Sequence, residues 1–164
     1  MQRRLIVMRH AKSSWDSEAA GDHDRPLNDR GRRDAPRVAE RLVELGWAPE
    51  VVLSSDSRRT RETFEAMRSV LATLRGVEFL PSLYHGSTEA LNDALLAVPD
   101  DARTVLALGH NPGWQAAVYW LTGKSIEMKT ATAALMECES PDWATTTTRR
   151  GQWRLVDTIF PREL

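Results

Sequence analysis

Two short apolar runs, Leu5–Met8 and Val105–Leu108, stop abruptly on histidine-bearing polar segments: Arg9-His10 after the first, Gly109-His110-Asn111-Pro112-Gly113 after the second. Four consecutive apolar residues without alternation read as a strand buried on both faces. Such strands belong to parallel sheets with helices packed on each side. In an open sheet of that kind, ligands bind beyond the carboxyl ends of the strands. The same pattern therefore constrains the fold and brings two histidines to the edge where chemistry takes place.

The rest of the chain alternates accordingly. A helix is expected over 29–45, with Asn28 as N-cap, Gly46 just past its end, and Ala35, Val38, Ala39, Leu42 and Leu45 at helical spacing. Pro36 inside it predicts a kink or a later start. Val51–Leu53 reads as a second buried strand, and a helix over 58–74 follows with Phe64, Met67, Leu71 and Leu74 as its apolar stripe. Glu78–Leu80 reads as a short edge strand. Ser87 caps a helix that turns Leu91, Ala94, Leu95 and Val98 inward. Asn111-Pro112 reads as cap and first residue of a helix running to Gly123. Two more strands are expected near 131–138 and 152–159, with a hairpin loop over 140–150. Residues 11–27 have no period and read as a loop over the sheet edge. No repeat or linker divides the chain, so the expectation is one domain over 1–164: a three-layer α/β/α sandwich around a mainly parallel central sheet.

Composition narrows the function classes. A net charge of −1 over 164 residues gives no overall pull toward nucleic acid or membrane, so any electrostatic selectivity is local. The single cysteine, Cys138, allows no intrachain disulfide. The first apolar run is too short for a signal segment, and no run approaches the ~18 residues of a membrane span. These features lead to the expectation of a cytoplasmic protein.

A lone strand-end histidine ordinarily does no more than bond to backbone. Arg9 changes that reading for His10, because a guanidinium fork suits phosphate oxygens and makes protonating its neighbour costlier. A neutral imidazole beside a bound phosphate is a nucleophile. His110 opens a helix, whose free N–H groups favour an anion. Ser54–Thr63 also follows a strand and opens a helix. Arg58, nearest the strand end, is expected to reach the same edge, whereas Arg59 and Arg61 read as a solvated face.

Arg9-His10-Ala11-Lys12 resembles the Arg-His-Gly signature of the histidine phosphatase superfamily. Ser54–Thr63 resembles its Ser-x-x-x-Arg-x-x-x-Thr segment with Arg58 on the arginine, and Gly109-His110-Asn111 resembles its second-histidine motif. Asp24-Arg25-Pro26-Leu27-Asn28-Asp29-Arg30-Gly31 is similar to its Pro-Leu-Thr/Ser-x-x-Gly stretch. The likeness covers about residues 5–115, in order. In length the chain resembles the small SixA-type phosphohistidine phosphatase branch, without the insertions of the mutases and acid phosphatases.

The resemblance implies a phosphoglycerate mutase-like fold and a hydrolase that uses no metal or cofactor. It implies His10 as the nucleophile, with Arg9, Arg58, His110 and Asn111 on the phosphoryl group. Ala11 in place of glycine implies a negative φ there. Where mutase-like relatives carry a glutamate acid, this chain reads Leu83-Tyr84-His85-Gly86, so Asp22, Asp24, His85 and Glu89 all stand as candidate proton donors. An imidazole leaving group tolerates a missing acid better than an alkoxide does. The expected partner is therefore a protein carrying phosphohistidine, with a small phosphorylated metabolite or a non-catalytic phosphate-binding module as alternatives.

Other patterns lack a required part. Gly123-Lys124-Ser125 is not a P-loop, because Val118 stands where the pattern needs glycine and a helix precedes it. Asp22-His23-Asp24 follows no hydrophobic strand, and Cys138 has no arginine six residues on. Four scattered histidines without a carboxylate pair give little support for a metal site. Arg30-Gly31-Arg32-Arg33 reads as a solvated helix start or a docking patch for an acidic partner. Trp15 and Trp114 are candidates for the pocket mouth.

Overall fold

The computed structural model describes residues 1–16 and 19–164; Ser17 and Glu18, inside the segment expected to be a loop, lie outside the described residues. Six strands, β1 (Gln2–Arg9), β2 (Val51–Ser55), β3 (Gly76–Leu80), β4 (Thr104–Gly109), β5 (Ala133–Glu139) and β6 (Arg154–Ile159), form one sheet in the order β3-β2-β4-β1-β5-β6. β1 to β4 pair in parallel; β5 runs antiparallel to both β1 and β6. The helices are α1 (Asp29–Glu44), α2 (Arg58–Arg68), α3 (Thr88–Leu95) and α4 (Gly113–Thr122).

Alternate strand residues feed two cores. Leu5, Val7, Leu53, Val105 and Ala107 pack with Leu91, Trp114 and Val118 on the α3/α4 side. Ile6, Met8, Val52, Leu106 and Leu108 pack with Val38, Leu42, Phe64 and Met67 on the α1/α2 side. This explains why the strands lack alternation: both faces are covered.

Helix ends follow local chemistry. Asn28 accepts from the Gly31 N–H at 2.9 Å, and α1 is continuous over Asp29–Glu44 with Pro36 inside it, so the helix does not start later than expected. It closes with Gly46 at φ +79°, where Trp47 N–H bonds to the Leu42 carbonyl and Gly46 N–H to that of Val43. α2 ends at Arg68, short of the expected 74. The chain tightens there into bonds from Val70 to Met67 and Leu71 to Arg68, which keep Leu71 in the core without a further helical turn. α4 begins at Gly113, with Pro112 rather than Asn111 in the cap position. Ala11 has a negative φ as expected, because Ala131 is the one non-glycine residue with positive φ among the described residues.

A Cβ on Gly113 would lie 1.9 Å from the Gly86 carbonyl oxygen. Gly113→Ala must push the start of α4 away from the 86 turn. The expected cost is about 1–3 kcal/mol of stability, measured by urea denaturation.

Candidate active site

The register of β1 on β4 pairs Arg9 with Gly109, so His10 and His110 leave the sheet side by side. The His10 N–H bonds to the Gly109 carbonyl at 3.0 Å, and the two imidazole centroids lie 5.2 Å apart. From this point β1 leads to α1 on one face and β4 to α4 on the other, which opens a crevice at the strand ends. β2 ends beside them and contributes Ser55.

His10 is buried, and its Nδ1 lies 2.7 Å from the Ala11 carbonyl oxygen. A carbonyl can only accept, so Nδ1 carries the proton and Nε2 keeps its lone pair. Burial pushes the His10 pKa down to about 3, with His110, Arg59 and Arg9 adding to the shift against the Ala11 bond. His110 is likewise held at about 3, first by burial and then by Arg59. Both rings should therefore stay neutral when histidine C–H resonances are followed by NMR from pH 8 to 5. The unfolded chain takes up these protons near pH 6.5 and the folded chain near 3. Stability from this source is therefore complete above 6.5 and declines as the pH falls toward 3.

His110 Nε2 lies 2.9 Å from the Ser55 hydroxyl, which also accepts from the Ser57 N–H. Its Nδ1 is buried without a partner among the described residues. If the Ser55 O–H donates to Nε2, Nδ1 carries a proton free for an oxyanion; in the other tautomer it would present a lone pair to one. Ser55→Ala should lower kcat/KM roughly tenfold or more, about the 1–3 kcal/mol of a buried group left unpaired. The 15N shifts of His110 should report the change of tautomer.

The arginine of the 54–63 segment is the main correction to the sequence reading. Arg58 is half exposed and pairs with Glu62 at 2.9 Å, with Asp24 4.0 Å away. Arg59, expected on a solvated face, is buried and lines the cavity with His110. Its Nη1 donates to the Asp22 carbonyl at 2.7 Å, its Nη2 to Asp22 Oδ2 at 3.1 Å, and its Nε is buried without a partner among the described residues. The missed signal was register. Ser55, Arg59 and Thr63 fit Ser-x-x-x-Arg-x-x-x-Thr at all three positions, whereas counting from Ser54 puts Glu62 in the threonine position. Thr63 Oγ1 accepts from the Ala11 N–H at 3.0 Å, tying α2 to the loop that carries His10.

Arg9 donates to the Met128 carbonyl through Nη1, and its Nε is buried and free of partners among the described residues. Asn111 lines the cavity, but its amide group donates to Met128 O at 2.8 Å and Gln115 Oε1 at 3.1 Å. Both amide hydrogens are thus spent, and the side chain braces Arg9's neighbour instead of offering a donor to phosphate.

The cavity over these groups is about 360 Å³ and is lined by Asp22, Arg59, Tyr84, His85, His110 and the 111–113 turn, among others. Of the four candidate proton donors, Asp22 and His85 lie on its wall; Asp24 and Glu89 are exposed and do not line it. Asp22 is held at a pKa of about 2, chiefly by the Tyr84 hydroxyl and then by Arg59 and Arg25, which leaves it without a proton to give at neutral pH. Neither tryptophan lines the cavity. Trp114 is fully buried behind Gly109, with Nε1 donating to the Ala107 carbonyl; Trp15 is exposed beneath the Arg25 guanidinium, 3.5 Å away.

A buried, neutral histidine with an open ring nitrogen, flanked by two arginines and a second histidine at parallel strand ends, is the arrangement of a phosphoryl-transfer site. A model of the histidine phosphatase superfamily (branch 1) matches residues 5–92, and the chain belongs to that family. An uncharacterized chloroplastic protein of Arabidopsis thaliana is 40% identical, over 98% of this chain and 79% of its own length. A structure described as a candidate SixA phosphohistidine phosphatase from Nakamurella multipartitia superposes with a TM-score of 0.84 at 28% identity, covering 98% of this chain and 97% of that one. The protein histidine phosphatase SixA in complex with tungstate shares the fold, with a TM-score of 0.82 at 24% identity and 98% coverage of both chains. Family and fold together make the chain a phosphatase.

Proposed function

We propose that this phosphatase works through a covalent phosphohistidine on His10 and acts on phosphohistidine in a partner protein. The observation that carries the reading is His10 itself: Nδ1 is spent on the adjacent carbonyl, so a neutral Nε2 is left for attack. In the proposed reaction, Nε2 attacks phosphorus while Arg9, Arg59 and His110 hold the phosphoryl oxygens, whose charge spreads as the transition state loosens. Water then hydrolyses phospho-His10. Asn111 and Ser55 position these groups without touching the phosphoryl. Protein phosphohistidine is favoured over a metabolite because no carboxylic acid is in place to protonate an alkoxide: Asp22 is ionised, and Glu89 is outside the cavity, which leaves His85 as the candidate donor on the wall. The SixA likeness supports this reading, and a cytoplasmic phosphoprotein partner is part of the proposal.

The test is kcat/KM on a phosphohistidine peptide against aryl and sugar phosphate esters, with His10→Ala as blank. A preference of tenfold or more for the peptide, about 1.4 kcal/mol, supports the reading. A preference for an ester moves the substrate to small metabolites and makes His85 the next variant.

A further inference from the structure

We infer that Asp22 is a specificity residue that accepts a hydrogen bond from the leaving group and so selects nitrogen-linked phosphoryl groups bearing an N–H. The inference rests on the proposed attack by His10. In-line displacement puts the leaving group on the side of phosphorus opposite the nucleophile. His110, whose ring lies 5.2 Å from that of His10, and Arg59 both line the cavity, so a phosphoryl group held between them and His10 directs its leaving group into the cavity, against Asp22, Tyr84 and His85.

That wall suits a planar, N–H-bearing ring. Tyr84 and His85 are stacked at 4.3 Å and 15°, and Tyr84 tilts against His110 at 5.4 Å. They give the cavity a flat aromatic side. Asp22 is carried by the 3₁₀ turn Asp22–Asp24, with its side chain half exposed to the cavity. Its Oδ2 accepts from the Tyr84 hydroxyl and Arg59 Nη2, which uses both lone pairs. Among the described residues its Oδ1 accepts from Arg25 Nε alone, at 3.2 Å, so one acceptor position remains for a ligand.

The chemistry balances without an acid. A phosphorylated imidazole whose other ring nitrogen is protonated is a cation, and a carboxylate beside that N–H stabilises it. As the bond from His10 Nε2 to phosphorus forms, the pair of the breaking P–N bond returns to the substrate ring. The ring leaves as neutral imidazole, its N–H still directed at Asp22. No proton travels to the broken bond. An ester gains nothing from this arrangement: its departing oxygen needs a proton, and an ionised carboxylate has none.

The experiment compares wild type with Asp22→Asn on a phosphohistidine peptide, on phosphoramidate and on an aryl phosphate ester, with thermal melting as a fold control. The expected result is a loss of kcat/KM at least tenfold greater on the nitrogen-linked substrates than on the ester. Equal losses on all three would overturn the inference and reduce Asp22 to a support for Arg59. If wild type turns over phosphoramidate but not the peptide, the protein-substrate reading falls; Asp22's role then stands or falls on the phosphoramidate-to-ester ratio. If wild type turns over no nitrogen-linked substrate, both readings are overturned.

Discussion

His10→Ala should abolish turnover while leaving the phosphate site standing. Removing the nucleophile from a covalent mechanism is expected to lower kcat/KM by roughly 10⁴-fold or more, at least about 5.4 kcal/mol of transition-state stabilisation. The wild-type enzyme, exposed briefly to phosphoramidate and quenched in base, should carry an acid-labile, base-stable phosphoryl group that the variant lacks. The other oxygen-binding groups do not depend on the His10 ring. Arg9 is braced by the Met128 carbonyl, Arg59 by Asp22, and His110 by Ser55. The ring's own hydrogen bond is to the adjacent carbonyl. Inorganic phosphate, measured by calorimetry, should therefore bind the variant within tenfold of wild type. Residual turnover within a hundredfold of wild type would rule out His10 as nucleophile.

The sheet was legible in the sequence because its central strands are covered on both faces and so carry unbroken apolar runs. The same property hid direction: nothing in Ala133–Glu139 says that β5 runs against β1, since that is set by how the chain returns from α4. Arg3, just before the first apolar run, is fully buried and donates to four carbonyls at 100, 102, 140 and 141. Those acceptors are about a hundred residues or more away, beyond any local pattern. Asp22 stood among four candidate proton donors, with nothing local to single it out. It sits in an aperiodic stretch, and its partners Arg59 and Tyr84 reach it only through the folded sheet edge. The histidines were legible because a strand end is a local feature. The arginine was not, because consecutive helix residues point about 100° apart. A one-residue slip in register exchanges the buried position for the exposed one.

That slip provides the sharpest test of the site. Arg59→Ala should lower kcat/KM by about 10²–10³-fold, the cost of about 2.7–4 kcal/mol seen when a fixed donor to a developing oxyanion is lost. Arg59→Lys should recover little, since a point charge cannot replace a fork that holds Asp22 through two nitrogens while its Nε stays free. Arg58→Ala should stay within threefold of wild type on the same substrate, because its guanidinium is tied to Glu62 at the surface. Glu62 Oε1 also accepts from the Leu27 N–H, so the loop before α1 keeps its anchor when Arg58 is gone. Equal losses in the two variants would mean that the active enzyme rotates α2 toward Arg58. A large loss in Arg58→Ala alone would restore the arginine assignment drawn from the sequence and reject the one drawn from the fold.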